Sequence, residues 1–192
     1  MSQNSICRTK SRKERYLQKK DSSYVYPIAL ATTNLIQDKN VGSLIRTVAC
    51  FGLSHLSIIG GMPSRSVLKP ISGSLVDYVD IRVYSTEEEY LEFIHCNDRT
   101  LVALELSAYS LDIREEKNVI SWQDYPMDIF VGHEELGVPG PILSFCDLLF
   151  EIPMDGFGWC LNTSQAAHIG AWEMINKYKE LEKKRNYNEN NN

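Results

Sequence analysis

Six short apolar runs, each set off by turn-forming residues, constrain this chain more than any other feature. They are Tyr26–Thr32, His55–Ile59, Val79–Tyr84, Leu101–Leu106, Asp128–Val131 and Leu148–Ile152. Aliphatic and β-branched runs of this length read as buried strands. Helical patterns fall between most of them: 40–52, 66–75 with Pro70 interrupting, and a T-E-E-E capping box at Thr86 opening a helix through about His95. Pro139 and Pro141 suit the start of a short helix through Phe145. A long helix is predicted from about Leu161 to Lys183, striped by Ala167, Ala171, Met174, Ile175 and Tyr178. The stretch 111–117 carries no clear pattern and reads as loop. Strands alternating with helices predict an α/β domain: a mostly parallel six-stranded sheet with helices on both faces. Ligands of such sheets sit in the crevice beyond the strands' carboxyl ends.

The helix at 40–52 (N-V-G-S-L-I-R-T-V-A-C-F-G) is the most sharply marked. Val41, Leu44, Ile45, Val48 and Ala49 follow the i, i+3, i+4, i+7, i+8 spacing of one buried face. Asn40 stands where an N-cap belongs, and Gly52 where a helix commonly ends left-handed. Arg46 lies roughly 140° around the wheel from Val41, off the apolar stripe. It faces solvent or a ligand.

Charge is unevenly placed. Of the 20 basic and 25 acidic side chains, seven and one lie in residues 1–20, leaving 13 and 24 for the rest. Residues 1–22 therefore read as a basic extension, either a solvated leader or an arm that contacts RNA phosphates. The domain proper is expected over 23–184. The Asn-rich segment 185–192 is expected to be a disordered tail. Five scattered cysteines without a C-x-x-C pair point to reduced thiols and a cytoplasmic setting. Four scattered histidines leave a metal site unsupported, and no run is long enough for a membrane span.

Three segments after expected strand ends carry unusual residues: 32–46, 132–140 (G-H-E-E-L-G-V-P-G) and 152–164 (I-P-M-D-G-F-G-W-C-L-N-T-S). Neither G-x-G-x-x-G after the first strand nor G-x-x-x-x-G-K-[ST] occurs, so the common dinucleotide and P-loop readings are weak. Together the three segments resemble the SpoU branch of the SPOUT RNA methyltransferases. Asn40, Gly42, Arg46, Thr47, Phe51 and Gly52 match that family's first motif; Gly132, Glu134, Gly137 and Val138 match its second. Ile152, Pro153, Met154, Gly156, Leu161, Asn162, Ser164, Ala166 and Ala167 match its third.

The resemblance, over about residues 26–180, implies a C-terminal trefoil knot, a homodimer, S-adenosylmethionine as cofactor, and transfer to a ribose 2′-hydroxyl of RNA. Topology rules alone would exclude a knot. It also implies cofactor contacts from Leu104, Gly132, Ile152 and Leu161, and an active centre of Arg46, Asn40, Glu134 and Asn162. Arginine is always protonated, so Arg46 suits a phosphate-holding or charge-stabilising role better than that of a base. Transfer RNA is favoured over ribosomal RNA because no sizeable N-terminal RNA-binding segment precedes the matched region.

Each of these residues also has a purely structural reading. Asn40 and Asn162 suit N-caps, Arg46 a solvated surface, and Glu134 a turn. His133 and His168 read as local packing or surface residues. Phe157 and Trp159 read as packing of the core or a dimer ahead of base stacking. The joint order of the motifs favours the functional reading of Asn40, Arg46, Glu134 and Asn162. Cys160 departs from the family's usual serine, and Thr163, Gln165 and His168 also depart from its pattern. These departures leave a rival, a catalytically weak SPOUT-like RNA-binding protein, and behind it a nucleotide-binding α/β protein of another kind.

Overall fold

The computed structural model of the protein describes residues 11–115 and 120–190, without the side chains of residues 12 and 190. The first basic residues of the extension, Arg8 and Lys10, lie outside the described residues. The elements run α1 (Arg12–Asp21), β1 (Ile28–Thr32), α2 (Asp38–Phe51), β2 (Leu56–Ile59), α3 (Arg65–Ile71) and β3 (Ile81–Tyr84). They continue with α4 (Glu87–Cys96), β4 (Thr100–Leu104), β5 (Leu111–Asp112), β6 (Met127–Val131), α5 (Gly140–Phe145), β7 (Leu148–Glu151) and α6 (Thr163–Asn190).

The strands form one parallel sheet in the order β3-β2-β1-β6-β4-β7-β5. Every residue of β1 and β6 is buried, as expected of central strands covered on both faces. Successive residues serve opposite cores. Leu30 and Ile129 pack with α2 residues Leu44 and Ile45 and with Met174 of α6. Ala31 and Phe130 pack with Tyr90 and Ile94 of α4 and Ile142 of α5. Thr32, Val131 and Leu104 lie side by side at the carboxyl edge, with Phe150 next in the row.

Several helix ends follow directly from sequence. Gly52 closes α2 at φ 72°, where its N–H reaches the Val48 carbonyl. Thr86 caps α4 by accepting from the Glu89 N–H, while the Glu89 carboxylate accepts from the Ser85 N–H at 2.6 Å. Ser11 and Glu14 form a reciprocal capping box on α1. Helix α1 docks through Tyr16, edge-on to Tyr78 at 5.5 Å, and through Lys20 Nζ, which donates to the Tyr78 carbonyl at 2.7 Å.

Four expectations are corrected. The sheet has seven strands, because Leu111–Asp112 pairs with the outer side of β7; two residues are too few to show a period. Asn40 is no cap: α2 begins two residues earlier, behind Gln37. Ala49 is exposed rather than on the buried face. Helix α6 runs on to Asn190 instead of fraying near Lys183. Its last turns are held by Arg185, which donates to Glu189 at 2.8 Å and lies 5.8 Å from the Trp122 ring.

At the amino end of the sheet, Asp128 is fully buried. Its carboxylate accepts from Arg99 Nε at 2.5 Å and Tyr90 Oη at 3.1 Å, with His55 Nε2 at 3.7 Å. Burial pushes its pKa up, but His55 and Arg99 outweigh that and hold it below the ordinary carboxylate value.

Candidate active site at the carboxyl end of the sheet

Beyond the ends of β4, β6 and β7 lies a cleft of about 260 Å³. Leu104, Val131, Phe150, Ile152 and Leu161 give it apolar surface, and Glu105, Glu134 and Glu151 bring carboxylates to its lining. Among the described residues no lysine or arginine lines it. All four residues expected to hold a cofactor, Leu104, Gly132, Ile152 and Leu161, stand on this lining.

The wall formed by 132–138 is a tight loop. His133 and Gly137 exchange backbone hydrogen bonds at 2.9 and 3.1 Å, and Gly137 sits at φ 69°. A Cβ on Gly132 would lie 2.4 Å from the Gly137 carbonyl carbon and 2.6 Å from the Val138 nitrogen, both backbone atoms. Only glycine fits there. The Glu105 carboxylate accepts from the Val138 N–H at 2.8 Å and the Leu106 N–H at 3.0 Å, tying the loop to the end of β4. Sequence reasoning left Glu105 inside a strand. The signal was an acid at the carboxyl end of an otherwise apolar run.

Glu134 joins the first and second motifs. Its Oε1 accepts from Asn40 Nδ2 at 2.7 Å and from the Gln37 N–H at 3.1 Å, and its Oε2 accepts from the Ile36 N–H at 3.0 Å. Burial raises its pKa, but the Asn40 amide and these backbone donors prevail and hold it below the usual range. Glu134 is thus an ionised acceptor at neutral pH, suited to anchoring the entry to α2 rather than to giving up a proton.

The third motif closes the other wall. Asn162 stands just before α6, and its Oδ1 accepts from the Ser164 N–H at 3.0 Å and the Ser164 hydroxyl at 2.8 Å. That is a cap, as the structural reading had it. Thr163, whose hydroxyl donates to the Gly132 carbonyl at 3.2 Å, links this wall to the 132–138 loop. Further along α6, His168 Nδ1–H donates to the Ser164 carbonyl, and its Nε2 lies 3.0 Å from the Thr47 hydroxyl of α2. His168 therefore ties α6 to the helix of the first motif.

Arg46 is not brought into the cleft. It is exposed, does not line the cavity, and makes no hydrogen bond or ion pair among the described residues. One heptad earlier, Lys39 is also exposed, so two cations lie along one face of α2. Phe157 and Trp159 are 102% and 91% exposed, which removes core packing as their role. Cys160 lines the cleft. Among the described residues no cluster of His, Cys, Asp and Glu could hold a metal ion, and no helix is long and apolar enough to cross a membrane.

Fold and cleft together define a parallel α/β protein with its ligand crevice at the carboxyl ends of the strands. The model of the SpoU rRNA Methylase family matches residues 27–172, and the chain belongs to that family. A tRNA (guanosine(18)-2′-O)-methyltransferase of Borreliella burgdorferi is 24% identical over 142 residues, covering 74% of this chain and 63% of the relative. Across three such relatives the match spans 40% to 67% of their length. The crystal structure of the A. aeolicus TrmH/SpoU tRNA modifying enzyme superposes with TM-score 0.72 at 21% identity, over 88% of this chain and 84% of that one. The AdoMet-bound rRNA methyltransferase of Sinorhizobium meliloti gives 0.69 at 22%, over 80% and 58%. At these identities the likeness establishes the fold.

Proposed function

We propose that this chain is an S-adenosylmethionine-dependent RNA methyltransferase that modifies a ribose 2′-hydroxyl, acts as a homodimer in the cytoplasm, and prefers tRNA to rRNA. The observation that carries the reading is the meeting of three distant segments at one cleft, with Glu134 bridging to Asn40 and Thr163 bridging to Gly132. Family membership and the tRNA-modifying relatives support the RNA substrate.

The cofactor fits the residues present. Apolar surface from Leu104, Phe150 and Ile152 suits its adenosine, and a lining that among the described residues has carboxylates and no lysine or arginine suits its sulfonium and ammonium charges. When bound, it supplies an electrophilic methyl group on a cationic sulfur. The chain's own residues hold and orient. The Gly132–Val138 loop, pinned by Glu105, closes one wall, and Leu161 and Thr163 close the other. Glu134 and Asn40 fix the start of α2 against the cleft mouth, and positioning of this kind supplies much of the acceleration in such a transfer. Arg46, always protonated, holds a substrate phosphate from the exposed face of α2. Exposed Ile169 and Trp172 of α6, with Phe51 of α2 5.8 Å from the Trp172 ring, provide the apolar face of the proposed dimer. The β6-β4-β7-β5 edge is where a trefoil knot would lie.

The outward Arg46 and the Cys160 substitution favour one rival, a catalytically weak RNA-binding member of the family. Calorimetric titration with S-adenosylmethionine and methyl transfer to unfractionated tRNA, read by nucleoside mass spectrometry, separate the two. Ribose-methylated nucleosides that vanish in Arg46→Ala support the enzyme. Cofactor and RNA binding without transfer by either form support the rival.

A further inference from the structure

The segment 155–160 is the part of the cleft's rim that the proposed reaction leaves without a task. It starts after Met154 and ends at Cys160, both of which line the cleft. Between them Phe157 and Trp159 stand wholly in water, at 102% and 91% exposure. A Cβ built on Gly156 or Gly158 would meet no atom within 4 Å, so this stretch stands clear of the body. Two large rings held out this way leave on the order of 150–250 Å² each without cover, which marks a contact surface.

Charge decides what the surface can receive. From Gly132 to Thr163 the sequence contains no lysine or arginine, and the same holds from Thr100 to Ile113 across the cleft. Glu105, Glu134, Glu151 and Asp155 lie in these segments. A phosphate would be repelled here. Arg114, the cation within electrostatic reach of Asp155, already has its guanidinium paired with Asp112 at 2.7 Å, whereas Lys39 and Arg46 on α2 are exposed with no ion pair among the described residues. A nucleotide at this rim must therefore be held by its uncharged, planar part.

On this basis, and resting on the RNA-modifying reading above, we infer that Trp159, flanked by Phe157, is a stacking platform for an unpaired base of the RNA. The base lies at the rim of the cleft assigned above to the cofactor, while the phosphates face α2. Stacking accepts any base, so the platform selects for an unpaired nucleotide rather than for a particular sequence.

The test is fluorescence anisotropy of labelled unfractionated tRNA with the full chain saturated with S-adenosylhomocysteine, for wild type, Trp159→Ala, Trp159→Phe and Phe157→Ala. The dissociation constant should rise about 5- to 150-fold in Trp159→Ala, the range of one lost stacked base, and recover in Trp159→Phe. Cofactor affinity and the mass in solution should not change. Binding by Trp159→Ala within about twofold of wild type, a factor well below one stacking contact, overturns the inference. So does a shift in oligomeric mass, which would make the rings a contact between copies, and so does a wild type that binds no tRNA. Methylation read on the same tRNA keeps the two proposals apart. Trp159-dependent binding without methyl transfer refutes the enzyme and leaves the platform standing; transfer with Trp159-independent binding does the reverse.

Discussion

Replacing Glu134 by glutamine tests whether this carboxylate ties the cleft together. It receives three donors, with the Asn40 amide and Gln37 N–H on one oxygen and the Ile36 N–H on the other. Glutamine keeps one oxygen. Turned to serve Asn40 and Gln37, it sets its own NH₂ against the Ile36 N–H. One hydrogen bond to a charged group is lost, at about 1.5–3 kcal/mol, and the other two lose their ionic character. Water reaches this half-buried site and replaces part of that, so the expected loss is about 2 kcal/mol. For a chain of this size that lowers Tm by about 4–8 °C at pH 7. The effect must also depend on pH. Because the folded pKa is depressed, the carboxylate stabilises the fold above its unfolded value of about 4.3, and that stability disappears as pH falls through the folded pKa. Thermal melts of both forms from pH 7 downward should therefore converge in acid. Equal melting at pH 7, or a gap that persists unchanged into acid, would refute the account.

Three further outcomes follow from the geometry. Gly132→Ala forces a Cβ against immovable backbone, so it should lose about 1–3 kcal/mol in urea melts and bind S-adenosylmethionine at least tenfold more weakly by calorimetry. Arg99→Ala leaves the buried Asp128 carboxylate without its closest partner and should lose about 3–5 kcal/mol in denaturant melts; a loss near zero would show the ion pair to be dispensable. Neutralising Lys13, Arg15 and Lys19 to glutamine keeps α1 but should weaken tRNA binding and flatten its log–log salt dependence by up to about 0.9 per lost phosphate contact, whereas an unchanged slope would free α1 of any RNA role.

The strands and most helices were legible because burial on both faces leaves aliphatic runs, and because Thr86 and Gly52 mark helix ends chemically. The convergence of Asn40 with Glu134 was legible only through motif order, since nothing local in either residue names the other. Asn40 was misplaced as a cap because its amide has a partner 94 positions away that serves the same helix end. Arg46 shows the limit from the other side. A helical wheel places it off the apolar stripe, but whether that direction meets the cleft depends on how α2 packs against α3 and α6, which no period encodes. Glu105 and Thr163 were overlooked because their importance lies in backbone groups of another segment. The end of the last helix was placed too early because composition does not register an arginine resting on a distant tryptophan.

That long terminal helix runs against the direction of the strands. Its first turn carries Thr163 at the cavity, and Gly170 passes so close to β4 that a Cβ would meet Leu104 Cδ1 at 2.5 Å. Tyr178 then meets the Tyr24 hydroxyl at 3.0 Å and the rings of Tyr26 and Trp122 beyond the opposite end. With 28 residues at about 1.5 Å each, it is a stiff rod of roughly 40 Å clamped far from the cavity. The height at which Asn162 and Thr163 present themselves is thus set by a grip at the other pole of the molecule.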